Sequence, residues 1–585
     1  MTYDPSKFRE YFEHAFTYNA GFLRNVARYG ESTAILDPTT DRTWTYRQLA
    51  ADVARAANAL AERGVGRGDR VVYELQNSPE FAILYLATQR LGAISVPANF
   101  RLAAGETAHI LRDSTPKVFV FAAQYATDAL AAVELSGQQP ELLVVGQLPD
   151  GDAAGTDGKL GVAGTSHITG FADALAAASD LAPAAPEDFS AYEETTRLYT
   201  SGTTGMPKGV PLPSLVEVMS AHDVIMHFPL TPFDRTLNMT PWFHRGGLYS
   251  GGPNPVFYVG GSVVPLPAFD PATVLDWVQR YGITFLVGAP TTLAMLADEQ
   301  EANPRDLSGL RGIVTMGSPL TRSAALRYQN VLTPRIFNGY GTTEAFWNTF
   351  LRPEDLPEHA GTAGRALTDD DVAVVKLFED RRADPDELVA RDGIEAGEII
   401  MRSPKSGFSY ANLPDKDEEK FHKGWLYPGD IATWDEAGFV TILGRKDDVI
   451  LSGGENVHPV QVEEVLAEHP QVSDAVVVGL PDERWGQRIV AYVIAHHEQP
   501  TVDELDEFCR NHPLLANFKR PRAYRFVREF PLTATGKKMH FKAAEMAVDD
   551  DAAGLLLEPG TAASGTAAAQ DAAAQEAAEG AGAGV

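Results

Sequence analysis

Short apolar runs alternate with amphipathic helical stretches along this chain, and that alternation restricts the fold more than any other feature. Residues 45–64, TYRQLAADVARAANALAERG, carry apolar side chains at helical spacing and stop at Gly64. DRVVYEL (69–75) follows as a short strand, PEFAILYLATQRLGA (79–93) as a second helix and ISVPAN (94–99) as a second strand. VFVFAA, ELLVVG, TFLVGAP and RGIVTMG continue the rhythm. Strands separated by helices pair in parallel, so the expected fold class is α/β with doubly wound sheets. The 585 residues exceed the roughly 250–300 that one core organises. The expected division is a large N-terminal domain (1–444), a hinge (445–448), a small mobile α+β C-terminal domain (449–548) and a low-complexity, disordered tail (549–585). Residues 147 to about 190, rich in Gly, Ala, Ser, Asp and Pro, read as a long surface loop.

Composition removes several function classes. The formal net charge is −30, which repels nucleic-acid backbones, so nucleic acid is not an expected partner. No run of about 18 apolar residues suggests an integral membrane segment. The opening MTYDPSKFREYFEHAF is charged and lacks the apolar core of a secretory leader, and the lone Cys509 suits a reducing compartment. A cytoplasmic location is therefore expected. Fourteen lysines against 35 arginines, with abundant acidic residues, resemble the surfaces of salt-adapted, halophilic proteins. Cys509 itself reads as a small buried residue in a helix.

The densest chemical signal is Leu198-Tyr199-Thr200-Ser201-Gly202-Thr203-Thr204-Gly205-Met206-Pro207-Lys208-Gly209-Val210. Glycines let backbone approach an anion, hydroxyls add donors, and Lys208 supplies a point charge for outer phosphates. The spacing Gly202-x-x-Gly205-x-x-Lys208 is not that of a Walker A loop.

This segment resembles the phosphate loop of adenylate-forming enzymes, the superfamily of acyl-CoA synthetases and other AMP-binding enzymes. The resemblance runs from about residue 30 to about 545, and further motifs appear in the same order. Phe337-Asn338-Gly339-Tyr340-Gly341-Thr342-Thr343-Glu344 resembles the second nucleotide motif. The resemblance implies that Tyr340 stacks on adenine, Thr343 binds the α-phosphate and Glu344 holds Mg²⁺, a hard cation that takes oxygen ligands. Gly317, in Gly317-Ser318-Pro319-Leu320, together with Gly339 and Gly341, is implied to line the acyl pocket. His244, in Thr240-Pro241-Trp242-Phe243-His244-Arg245-Gly246-Gly247-Leu248-Tyr249, matches the gate histidine of aryl and medium-chain ligases. Gly424-Trp425-Leu426-Tyr427-Pro428-Gly429-Asp430 resembles the ribose segment, with Asp430 as diol acceptor and Pro428 where threonine is usual. Gly444-Arg445-Lys446-Asp447-Asp448 resembles the hinge motif, with Arg445 on the nucleotide and Asp447 as pivot.

In the C-terminal part, Ser452-Gly453-Gly454-Glu455-Asn456 resembles the loop lining a pantetheine tunnel. Arg484-Trp485-Gly486-Gln487 and Phe518-Lys519-Arg520-Pro521 resemble the coenzyme A contacts of 4-chlorobenzoate:CoA ligase-like enzymes, through Gly453, Gly454, Trp485, Lys519 and Arg520. Pro531-Leu532-Thr533-Ala534-Thr535-Gly536-Lys537 resembles the last lysine motif. Lys537, rather than its neighbour Lys538, aligns with the lysine that bridges carboxylate and α-phosphate. A cation there offsets the repulsion between two anionic reactants.

Lys208, Glu344, Asp430 and Lys537 are all present, so a catalytically dead homologue is disfavoured. The implied catalytic set is Lys537, Thr343 and Lys208. The implied activity is an AMP-forming carboxylic acid–CoA ligase using ATP, Mg²⁺ and coenzyme A, with a fatty or aryl acid as substrate. A stand-alone adenylating enzyme loading a carrier protein is the alternative. A homodimer is compatible with the sequence.

Overall fold

The structure, a computed structural model, describes residues 4–148, 168–200, 206–378, 380–452, 455–482, 485–496, 498–512, 515–532 and 537–560. The chain divides into two compact units. The first takes Met1–Glu395, Ile399–Pro428 and Trp434–Thr441, and the second takes Ala396–Glu398, Gly429–Thr433 and Ile442–Val585.

The two largest sheets lie in the first unit. Their strands are β1 (Thr33–Asp37), β2 (Arg42–Thr45), β3 (Arg70–Glu74), β4 (Ile94–Pro97), β5 (Val118–Ala122), β6 (Glu141–Val145), β7 (Thr169–Gly170) and β8 (Glu194–Thr200). β9 (Lys208–Pro213), β10 (Arg235–Asn238), β11 (Ser262–Val264), β12 (Phe285–Gly288), β13 (Gly312–Met316), β14 (Ile336–Thr342), β15 (Phe346–Leu351) and β16 (Arg365–Ala366) complete them. One sheet has the order β7-β6-β5-β3-β4-β8-β9 and the other β16-β15-β14-β13-β12-β10-β11-β1-β2. In each, parallel strands form the interior and an antiparallel hairpin closes one side: β8–β9 in the first and β14–β15 in the second.

Local signals explain the elements between these strands. Helix Tyr46–Glu62 begins in a capping box between Thr45 and Gln48. Helix Pro79–Leu91 starts from the Ser78 cap with proline in its first turn and ends at Gly92 in the left-handed region. The apolar runs of β3, β4, β5 and β12 are buried on both faces, as parallel strands covered by helices must be. One core cluster joins Val71, Val120 and Leu198 of the first sheet with Phe285, Val314 and Phe337 of the second. Part of the expected loop after residue 147 is instead ordered structure. Residues 149–167 lie outside the described residues, but Thr169–Gly170 extends the first sheet and helix Phe171–Ala177 buries Phe171 and Ala174. Alanine-rich composition conceals so short an amphipathic face.

In the second unit, strands Val472–Asp482 and Gly486–Ala495 pair antiparallel, and Ala523–Phe526 adds in parallel to the latter. Helices Pro459–Ala467, Val502–Asn511 and His540–Ala552 surround them. Cys509 is fully buried in the second of these helices, and burial pushes its thiol up to about 11. The expected start of the tail at 549 is too early. Tyr492 donates to Asp550 at 2.8 Å, Leu557 bridges Tyr524, and the Gly560 amide donates to Asp503 at 2.7 Å. Those anchors order residues 549–560, although their composition is that of a tail. Among the described residues, no helix is long and apolar enough to cross a membrane.

Candidate active site

The two nucleotide motifs of the first unit both fall on antiparallel hairpins that follow a run of parallel strands: the first flanks the β8–β9 connection and the second spans the β14–β15 turn. Ser201, Gly202, Thr203, Thr204 and Gly205 lie outside the described residues. The stem is described: Thr200 at the end of β8 pairs with Lys208 at the start of β9. Burial pushes the Lys208 ammonium down, and Lys416 adds to the effect. Its Nζ lies 5.8 Å from the centre of the Tyr410 ring.

The second turn is short. Thr342 pairs with Phe346, leaving Thr343-Glu344-Ala345 to reverse the chain. Phe346 takes φ +63, an uncommon backbone for a bulky residue. The register shifts between Tyr340 and Gly341, so the hairpin bends there. The glycines of this motif have a packing reason. A Cβ on Gly341 would stand 1.6 Å from the Phe346 carbonyl oxygen, and one on Gly339 would stand 2.8 Å from the Trp347 ring. Tyr340, Gly341, Thr343 and Glu344 are half-buried, so the turn forms a rim that a ligand can reach.

The segment after Arg402 stitches both hairpins together. The Ala411 amide donates to the Gly209 carbonyl at 2.8 Å, and the Gly407 amide donates to the Glu344 carbonyl at 2.7 Å. The Tyr410 hydroxyl donates to Glu344 Oε1 at 2.6 Å, and burial together with that carboxylate pushes the phenol well up. Tyr410 thus touches Glu344 and faces Lys208. It carries no motif in the sequence, and only the fold reveals it. Arg245, inside the gate segment but given no role by it, is a second contact of this kind: its guanidinium donates to the Thr343 carbonyl at 2.8 Å.

His244 stands at the position before helix Arg245–Tyr249 without a side-chain capping bond, beside Phe243 at 4.3 Å between ring centres. Asn238 donates to the carbonyls of Gly246, Gly247 and Ser250, and Asn77 accepts the Trp242 amide at 2.7 Å, which together hold this segment in place. Gly317 follows β13 with φ +92 and is exposed.

In the second unit, the pairing of Glu398 with Ile431 sets the strand that carries Asp430, and Arg445 Nη1 donates to Asp430 Oδ1 at 2.9 Å. Asp430 is 8% exposed. Asp447 is exposed in the turn Lys446–Asp448. Gly453 and Gly454 lie outside the described residues. Trp485 is 39% exposed, and Lys519 donates to Gln461 at 2.7 Å. Arg520 pairs with the buried Asp506, so this cation is already engaged. The two adjacent lysines separate clearly. Lys538 is bound to Asp474 at 2.7 Å, Glu463 at 3.2 Å and the Ala475 carbonyl at 2.6 Å, whereas Lys537 is exposed. Burial pushes Glu463 up, but Lys538 and His540 outweigh it and hold this carboxylate down at about 2.

No group of three or more candidate metal ligands occurs among the described residues. A Mg²⁺ carried in on ATP needs only one or two protein carboxylates, its remaining ligands being phosphate and water, and Glu344 fits that requirement.

Fold, hairpin turns and motif order define one class: the chain belongs to the AMP-binding enzyme family, matching it over residues 22–410 and matching the AMP-binding enzyme C-terminal domain over 461–537. It is similar to the long-chain-fatty-acid–CoA ligase FadD13 of Mycobacterium tuberculosis, 31% identical over 507 residues, covering 86% of this chain and 93% of that protein. It is likewise 32% identical over 517 residues to the fatty acid–[acyl-carrier-protein] ligase ScoC of Streptomyces coeruleorubidus, covering 86% and 92%. Among solved structures, the anthranilate CoA ligase AuaEII in complex with anthranoyl-AMP superposes with a TM-score of 0.80 at 27% identity, covering 91% of this chain and 98% of that one.

Proposed function

We propose that this protein is an AMP-forming carboxylic acid–CoA ligase acting on a fatty or aryl acid. The observation that carries the proposal is the stitching of the two hairpins: Tyr410 touches Glu344 and faces Lys208, which brings a phosphate-directed cation and a metal-directed carboxylate to one rim. FadD13 and AuaEII, both named as CoA ligases, support the reading.

In the first half-reaction a carboxylate oxygen of the acid attacks the α-phosphorus of ATP. The bond to the β-phosphate oxygen breaks, leaving acyl-AMP and pyrophosphate. Bound Mg²⁺ would neutralise phosphate charge, held by Glu344. Thr200 and the residues Ser201–Gly205 cradle the phosphates, Lys208 meets the outer ones, Thr343 donates to the α-phosphate, and Tyr340 covers the adenine. Asp430 accepts from the ribose hydroxyls, with Arg445 holding its carboxylate. Lys537 is the cation between carboxylate and α-phosphate. Its exposure, beside a fully engaged Lys538, supports that choice. In the second half-reaction the coenzyme A thiolate attacks the acyl carbonyl, AMP departs with the bonding electron pair, and the thioester remains. Gly453, Gly454, Trp485 and Lys519 serve coenzyme A. Arg520 serves it only by leaving Asp506. Asp447 is the pivot between the two half-reactions, and the acyl group passes His244 toward Gly317, Gly339 and Gly341.

ScoC, whose name specifies a carrier protein as acceptor, keeps the alternative in view. The proposal extends to a cytoplasmic, salt-adapted enzyme, since an acidic surface repels itself in dilute buffer. The test is acid-dependent pyrophosphate release over a panel of fatty and aryl acids, at low and molar KCl, followed by addition of CoA or a phosphopantetheinylated carrier. Acyl-CoA as product supports the ligase, acyl-carrier as the sole product selects the alternative, and no pyrophosphate with any acid overturns both. Activity that falls as KCl rises removes the salt adaptation.

A further inference from the structure

Arg245 is a deeply buried cation close to the nucleotide turn, at 4% exposure, and the half-reactions described above do not use it. A buried guanidinium ordinarily requires a carboxylate partner. Arg245 has none within ion-pair distance among the described residues. Its donors go to the Thr343 carbonyl at 2.8 Å, the Lys405 carbonyl at 2.8 Å and Ser220 Oγ at 3.3 Å. The ring centres of Tyr249 and Phe346 lie 4.9 and 5.5 Å from its guanidinium carbon. A fork that takes up two main-chain carbonyls immobilises backbone rather than a side chain.

The peptide it immobilises joins Thr343 to Glu344. The next carbonyl, that of Glu344, accepts from the Gly407 amide, so both carbonyls of the pair are held. The support behind Arg245 is itself rigid. The Lys405 ammonium, 1% exposed, lies 2.7 Å from Asp370 and 3.0 Å from Asp223, and Asp223 also accepts the Trp347 indole of β15 at 2.5 Å. The interactions therefore close a ring around the base of the hairpin.

We propose that Arg245 is a positioning residue for the Thr343–Glu344 peptide and thereby sets the affinity for Mg·ATP and the rate of adenylation. Being next to His244, it also ties the acyl gate to the nucleotide turn. This rests on the assignment of Thr343 and Glu344 to the nucleotide made above.

The test compares Arg245→Met and Arg245→Lys with wild type in the full-length chain. Three quantities are read: Mg·ATP affinity by calorimetry without acid, single-turnover pyrophosphate release with the acid the wild type accepts, and thioester formation from that acid's synthetic acyl-adenylate. For Arg245→Met, Mg·ATP binding weakens about tenfold, pyrophosphate release slows about 10²-fold, and thioester formation stays within about threefold. Arg245→Lys, which keeps the charge but reaches one carbonyl, recovers part of both losses. Wild-type Mg·ATP affinity in Arg245→Met overturns the proposal, as does an equal fall in all three readouts that lysine does not relieve. If Arg245→Met does not fold, wild-type Mg·ATP affinity in Arg245→Lys overturns it. If wild type binds Mg·ATP but releases no pyrophosphate with any acid, the ligase reading fails while Mg·ATP affinity of the variants still decides the clamp. If wild type binds no Mg·ATP, both fail.

Discussion

The Thr343–Glu344 turn of the first unit and the Lys537–His540 segment of the second hold their polar groups differently. In the turn, the Thr343 carbonyl, the Glu344 carbonyl and the Glu344 carboxylate are each held, by Arg245, Gly407 and Tyr410. In the segment, one lysine is held by carboxylates and its neighbour is exposed. Lys538 is committed to Glu463 and Asp474, while Lys537 is exposed. A group proposed to hold a phosphate in one geometry gains from rigid support, because small displacements of reacting groups are costly in rate. A cation proposed to act in only one of two half-reactions gains from remaining exposed beside a firmly anchored neighbour.

The sharpest way to break this comparison is to exchange the fates of the two lysines. Lys537→Ala lowers acid-dependent pyrophosphate release about 10²–10³-fold, with an unchanged thermal midpoint. Lys538→Met does the reverse, sparing adenylation and lowering the unfolding free energy in a urea titration by at most about 3–5 kcal/mol, because His540 stays beside Glu463. Adenylation lost in Lys538→Met and kept in Lys537→Ala would move the catalytic assignment by one residue.

The pivot comes next. Proline fixes φ near roughly −65°, so Asp447→Pro restricts the backbone at the proposed hinge. Single-turnover pyrophosphate release stays near the wild-type rate, and thioester formation from the bound adenylate falls by orders of magnitude. An equal decline of both half-reactions would show general damage, and no decline in either would remove Asp447 as the pivot.

A smaller effect is expected at the rim. Tyr410→Phe removes one hydrogen bond to a carboxylate, so the Mg²⁺ needed for half-maximal pyrophosphate release rises about tenfold. An unchanged Mg²⁺ dependence would mean that Glu344 is oriented by its backbone alone.

The smallest effect is a pH dependence of the second unit. Burial pushes His540 down, but Glu463 at 2.6 Å and then Asp448 outweigh it, leaving this imidazole with a raised pKa. Such a group contributes stability that is complete below its unfolded value of about 6.5 and is lost as pH rises through the folded value. Glu463, held down at about 2, acts in the opposite sense: its contribution is lost only as pH falls below the ordinary carboxylate range toward that value. Hydrogen exchange in helix Pro459–Ala467 should therefore quicken beyond its chemical rate as pH rises above about 6.5 and through the raised folded value of His540. His540→Gln should flatten that trend, and an unaltered trend would point to another group.

Much of this protein is legible in its residue order. Strand–helix alternation implies parallel sheets, and the glycine, hydroxyl and lysine run from Thr200 to Lys208 implies an anion-directed loop, because both follow from local periodicity and local chemistry. The order of Tyr340, Thr343, Glu344, Asp430 and Lys537 supplies the family. Tertiary structure alone decides the rest. Tyr410 lies 66 residues from the carboxylate it touches and Arg245 lies 98 from the carbonyl it holds, so no window of sequence contains either pair. The glycines at 339 and 341 carry a motif, yet the reason for them is Trp347 and the Phe346 carbonyl packed across the hairpin. Lys537 and Lys538 are the same residue type side by side. The partners of Lys538 arrive only when Val472–Asp482 and helix Pro459–Ala467 bring Asp474 and Glu463 to it. Periodicity and local chemistry act between near neighbours in the chain, whereas a carboxylate or a carbonyl selects its partner by distance in space.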